Sequence, residues 1–106
     1  MRKGYTVRVQ ETVGGDVKRP RESTFDDAKA ARAAFDDEMA RAHDDMDVAY
    51  MRDIGGSIAV YLRGYDTETG GEVILLDGEV RRPLHSPEAL AFIREPGETA
   101  RPWAKD

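Results

Sequence analysis

The chain has 106 residues, a length that fits one domain able to bury roughly two thirds of the surface its unfolded form exposes. It is 40% hydrophobic and 35% charged, with Val, Ile, Leu, Phe and Tyr spaced regularly enough to exclude a disordered chain, and its lack of cysteine excludes disulfides and thiolate chemistry. The net charge is −5, and the stretch Thr24 to Asp53 alone accounts for it, with Asp26, Asp27, Asp36, Asp37, Glu38, Asp44, Asp45, Asp47 and Asp53 against Lys29, Arg32, Arg41 and Arg52.

Tyr5, Val7, Val9 and Val13 share one side of an alternating run whose other side holds Thr6, Arg8, Gln10 and Thr12, so the chain opens with a half-buried strand. No apolar run there or later is long enough for a signal sequence or a membrane span, and a soluble, cytoplasmic protein is expected. Gly14-Gly15-Asp16 supplies a tight turn, after which Val17-Lys18-Arg19 returns as a short edge strand before Pro20 removes a donor. Ser23, three residues before Asp26, predicts a helix starting near Thr24. Phe25, Ala28, Ala31, Phe35, Met39, Ala42, Met46 and Ala49 then recur at three- and four-residue steps, an apolar stripe that carries the helix to about Arg52, with weak helix formers from His43 to Asp47 marking a kink or early end.

Ile58, Val60 and Leu62 alternate with polar partners, and Val73-Ile74-Leu75-Leu76 follows a polar loop, which predicts a hairpin. Asp77-Gly78 is the strongest short turn signal and predicts a reversal into a third strand, Glu79 to Arg82, ended by Pro83. Ser86-Pro87-Glu88 reads as the start of a last short helix carrying Leu90, Ala91, Phe92 and Ile93. The expected fold is therefore α+β in the order ββαβββα: an antiparallel sheet of about four to five strands, one long helix packed on one face and a short C-terminal helix. Residues 1–95 make one domain, and 96–106, without a period, form a loose tail whose Trp103 caps the domain surface.

Catalytic and metal constellations are thin. His43 and His85 lie far apart in sequence, His43 and Asp47 at i and i+4 do not close a metal site, and Asp66-Thr67-Glu68-Thr69-Gly70 has only a faint calcium-loop flavour, because the twelfth position, Asp77, falls in a predicted strand end; it reads as a polar hairpin loop. No nucleophile, zinc or phosphate-loop spacing is present, and Gly55-Gly56-Ser57 precedes a strand where a phosphate site needs a helix. No enzyme, no metal and no cofactor is expected. Lys18-Arg19-Pro20-Arg21 and Arg81-Arg82 are short basic clusters within a negative field, which disfavours direct, general nucleic-acid binding.

The functional lead is the placement of acids. Phe25, Phe35 and His43 are each followed by two acidic residues, and a turn of about 100° per residue lines up Asp26, Asp37 and Asp44 opposite the apolar stripe, with Asp27, Glu38 and Asp45 as a second line. Acids near the start of a helix complement its dipole, but Asp44, Asp45 and Asp47 crowd the end where the dipole disfavours anions, which points to a basic partner. The segment carries a net −1 per ~6 Å of helix, against a charge every ~1.7 Å in duplex DNA, so docking on a basic protein demands less than imitation of DNA.

In its size, its acid pairs between 26 and 47 and its α+β order, the chain resembles the small, acidic, cysteine-free proteins of phages and mobile elements, such as the anti-CRISPR proteins. That resemblance implies an inhibitor that occupies a nucleic-acid-handling surface of a partner in the cytoplasm of the host cell. On this reading Asp26, Asp27, Asp36, Asp37, Glu38, Asp44 and Asp45 bind the partner. Two other readings stand beside it. One is an assembly module that forms a homodimer through a sheet edge or the last helix, its acids serving solubility; the other is a small hydrolase-like or metal-dependent enzyme centred on His43 or His85.

Overall fold

A computed structural model describes residues 3–66 and 68–104; Met1, Arg2, Thr67 and the end of the tail, Lys105-Asp106, lie outside the described residues. Strand β1 spans Lys3–Val13, β2 Asp16–Val17, β3 Arg21–Phe25, helix α1 Ala28–Met46, helix α2 Met51–Ile54, β4 Gly56–Asp66, β5 Glu72–Arg82, β6 Leu90–Arg94 and β7 Arg101–Pro102. The class is α+β, as the hydrophobic patterning requires, with a single 7-stranded sheet in place of the four to five strands expected. Its order is β2-β1-β4-β5-β6-β7, with β3 beside β2 on the outer side of β1, and every pairing is antiparallel.

One face of the sheet holds Val7, Val9, Ile58, Val60, Leu62, Leu76, Val80 and Ile93, all buried. Against it α1 lays Ala31, Phe35, Met39, Ala42 and Met46, five members of the stripe read from the sequence. Each large side chain buried in this layer stabilises the fold by roughly 1.5–3 kcal/mol relative to exposure. The helix can approach because Gly78 on β5 has no side chain: a Cβ there would stand 2.6 Å from Met39 Sδ and 2.9 Å from Phe35 Cζ.

That contact explains why Asp77-Gly78 is not a turn. Strand β5 runs straight through it, pairing with β4 from Tyr65↔Glu72 to Gly56↔Arg82, because an unbroken hairpin buries both Leu76 and Val80 under the helix. The pairing slips once, from Leu62↔Leu76 to Arg63↔Ile74, which leaves Leu75 as a bulge.

Three further expectations change. Residues Arg21–Phe25 pair with β1 from Val9↔Arg21 to Tyr5↔Phe25, so Ser23 is a strand residue and Asp27 caps the helix, its carboxylate accepting from Ala30 N at 3.0 Å. The helix ends at Met46, in the weak stretch, and a separate short turn forms α2. The segment read as a C-terminal helix is strand β6, since its apolar run is short and pairs with β5 from Arg81↔Leu90 to Asp77↔Arg94; Ser86 Oγ donates to Glu88 O instead of capping a helix.

The tail is pinned as far as residue 104. Phe92↔Pro102 and Ile93↔Arg101 form β7, Trp103 N donates to Ala91 O at 2.9 Å, and the indole packs half-buried against the core. Arg101 grips Glu95 with both terminal guanidinium nitrogens, Nη2 to Oε1 at 3.0 Å and Nη1 to Oε2. This hydrogen bond holds the Glu95 carboxyl below the ordinary glutamate range.

Two outcomes follow for stability. Gly78→Ala should destabilise the domain by about 1–3 kcal/mol through overpacking against Phe35 and Met39, read as a lowered urea midpoint. Because the folded Glu95 titrates lower than the unfolded one, its contribution is full above the ordinary carboxylate range and is lost as pH falls through the folded value. An acid titration of the fluorescence of Trp103, the lone tryptophan, should show that step. The step should vanish in Glu95→Gln and shrink in high salt.

Candidate functional site

The outer face of α1 is the surface the sequence singles out, and the structure divides its seven acids into committed and uncommitted groups. Asp27 is the N-cap. Asp36 pairs with Arg32 one turn earlier, Oδ2 to Nε at 3.2 Å. Glu38 is half-buried at the flank and accepts from Arg21 Nη2 of β3 at 3.1 Å, with Arg41 Nη1 at 3.9 Å. These three serve the fold first.

Asp26 lies in the bend before the cap, outside α1, so the helical geometry that aligned it with Asp37 and Asp44 does not apply to it. Asp37 and Asp45 are exposed and make no ion pair among the described residues, while Asp44, also exposed, has a contact within its own chain. Asp37 and Asp44 stand two turns apart, about 10 Å along the axis, with exposed Ala33 and Ala30 one and two turns before Asp37 on the same side.

The crowding of acids at the C-terminal end of α1 has an internal counterweight that sequence reading missed. Arg82 is only 4% exposed, yet it is charged. Its Nη1 donates to Met46 O at 2.8 Å and Val48 O at 3.4 Å, and its Nε donates to Ser86 O at 3.0 Å. A buried cation thus sits on the negative end of the helix dipole. Asp47 completes the arrangement, with Oδ1 accepting from Ala89 N at 3.1 Å and lying 3.9 Å from Arg82 Nη1. The available signal was strand alternation: in a β5 that passes through Gly78, Leu76, Gly78, Val80 and Arg82 share the helix side, and Arg81 turns to the other face.

Beside Asp36 and Asp37 runs a groove of about 480 Å³ between α1 and the β6–β7 end, lined also by Arg32, Ala40, Ile93, Pro102 and Trp103. His43 lies beside Trp103, ring centroids 6.5 Å apart and the planes tilted by 42°. The groove brings an acid, an aromatic surface and small residues together, which suits a cationic or planar side chain.

The opposite face of the sheet carries Arg8, Arg63, Arg81 and Arg94, each beside an acid: Glu22 at 3.9 Å, Glu72 at 3.9 Å, Glu79 at 3.6 Å and Asp77 at 3.3 Å. Two of these guanidiniums also lie over rings, Arg63 over Tyr61 and Arg81 over Phe92. Among the described residues these four arginines are charge-balanced and offer no row of open cations to a phosphate backbone. Among the described residues no group of three or more His, Cys, Asp or Glu could hold a metal, and no helix is long and apolar enough to cross a membrane. His85 sits in an exposed turn at φ 64, its N–H bonded to Arg52 O at 2.7 Å.

No protein-family model matches the chain, and no curated protein or solved structure shows significant similarity to it.

The division of acids is measurable by chemical denaturation. Asp27→Ala should lower stability by about 0.5–2 kcal/mol through loss of the cap. Asp37→Asn and Asp45→Asn should stay within about 0.5 kcal/mol of the parent, as changes on an exposed surface do.

Proposed function

We propose that the chain is a non-enzymatic binding protein that sets the outer face of α1 on a basic surface of a nucleic-acid-handling partner and inhibits that partner by occupying the surface, as the anti-CRISPR proteins it resembles do. The observation that carries this reading is the pair Asp37 and Asp45, exposed and without an internal cation among the described residues, on a helix whose neighbouring acids Asp36 and Glu38 are each matched by an arginine. Charges left open on a rigid element keep their field for a partner and need no side-chain rearrangement to meet it.

The contact set is narrower than the seven acids. Asp37, Asp44 and Asp45 form its centre, Asp26 extends it toward the cap, Asp27 acts through the helix it caps, and the charges of Asp36 and Glu38 are cancelled locally by Arg32 and Arg21. The groove along Asp37, Pro102 and Trp103 offers a place for a lysine or arginine of the partner, where carboxylate and indole act together. Complementary charge of this kind raises the association rate and weakens with salt.

Affinity capture with the immobilised chain from a lysate of its native host, followed by mass spectrometry, tests the reading. The native chain should retain a basic nucleic-acid-handling protein and release it as the Debye length falls from about 10 Å at 0.1 M salt to about 3 Å at 1 M. The variant Asp37→Lys/Asp44→Lys/Asp45→Lys, folded by circular dichroism, should retain none; equal capture by both chains rejects the proposal.

A further inference from the structure

The sheet has three stretches of free edge among the described residues, and the chain treats them differently. Along β2 and β3 the edge is broken by Pro20 and dressed with Lys18, Arg19, Arg21 and Glu22. At the other end β7 is two residues long and contains Pro102. Charges, prolines and brevity are the usual means of keeping an edge from pairing with another chain.

The third stretch is the least protected: it has no proline, a single charge at its end, Glu72, and the bulge at Leu75. Strand β6 covers β5 only from Asp77 to Arg81, so Glu72–Leu76 is bonded to β4 on one side and, among the described residues, to no strand on the other. This open half reads Val73-Ile74-Leu75-Leu76, without proline or charge, and Val73, Ile74 and Leu75 are 60%, 44% and 37% exposed. A cleft of about 250 Å³ lies at the same place, lined by Tyr5, Gly64, Tyr65, Val73 and Leu75. Here Leu75, released by the bulge, covers Gly64: a Cβ on that glycine would touch its Cδ1 at 3.3 Å.

We propose that this edge docks a second copy of the chain, the two Glu72–Leu76 segments pairing antiparallel across a two-fold axis. This goes beyond the acidic-face reading and uses none of its residues. Three observations select a second copy as the occupant. Val73 to Leu76 sets no charge against its twin, and the one acid at its end, Glu72, already has Arg63 at 3.9 Å. Antiparallel pairing of these segments brings the hairpin tip of each copy to the end of the other's β6, where Arg94 is already matched by Asp77 at 3.3 Å, so the contact sets no unmatched like charges from these residues against each other. Finally, with the edges at β2–β3 and β7 blunted, the matching edge of a second copy is the one open strand edge this chain offers among the described residues, so the assembly closes at two copies instead of growing into a fibre.

The shared strand is short and the bulge adds twist, so the interface lies below the about 800 Å² per partner of a standard complex and the dimer should be a reversible, micromolar one. Sedimentation equilibrium of the native chain from about 1 µM to about 1 mM spans that range. The mass should rise from one copy to two and no further, with little dependence on salt. Val73→Lys/Ile74→Lys, changed only at exposed positions and checked for fold by circular dichroism, should remain a monomer throughout, while Asp37→Lys/Asp45→Lys should dimerise as the native chain does. A native chain that stays monomeric at every concentration, leaving the edge to a foreign strand, or a dimer that persists in Val73→Lys/Ile74→Lys, overturns the proposal.

Discussion

The acidic face of this protein is oriented by one close approach, that of α1 to the sheet at Gly78. Phe35 and Met39 fill the space a side chain would take on β5, and with them buried the rotation of the helix is set for its whole length. Ala31, Ala42 and Met46 follow inward, and Asp37, Asp44 and Asp45 are carried outward. A residue larger than glycine at this point would lift the helix or turn it, and the acidic face would turn with it.

The second organising feature is the accounting of charge. The sequence places a net −5 in one segment, but the fold returns cations to it from elsewhere: Arg21 of β3 to Glu38, and Arg82 of β5 to the end of α1. Pairs of this kind on the surface add little stability, yet they change the field strongly because each cancels a charge locally. Arg82 differs, because its hydrogen bonds satisfy carbonyls at a helix end and in the loop before β6, and its removal would leave buried acceptors without donors. What remains open to a partner is the exposed set around Asp37 and Asp45.

The acidic face and the β5 edge lie on different elements and use different physics, one electrostatic and salt-sensitive, the other main-chain pairing with apolar contact. They are compatible. Two copies joined at the edge would present two acidic faces on one rigid body, and a partner with two basic sites at matching separation would then be held by avidity, without any new contact.

Local patterning was enough to read β1, the buried stripe of α1, β4 and the apolar start of β5, because alternation and three- to four-residue spacing report directly which side of an element is buried. The weak stretch His43 to Asp47 likewise marked where the helix ends. Of the short segments, only β2 was legible, through the Gly14-Gly15 turn before it. Arg21–Phe25 and Leu90–Arg94 are each five residues long, and a run that short takes whatever structure its neighbour offers, here the free sides of β1 and β5. Asp77-Gly78 has the strongest local preference for a turn in the chain, and it lost to the burial of Leu76 and Val80 on a continuous strand. The same holds for the candidate site. The sequence by itself determined that acids gather on one helix and that its opposite stripe is apolar. Only the tertiary structure decided which carboxylates stay open, because Arg21 and Arg82, distant in sequence, reach α1 from strands whose pairing no local pattern specifies.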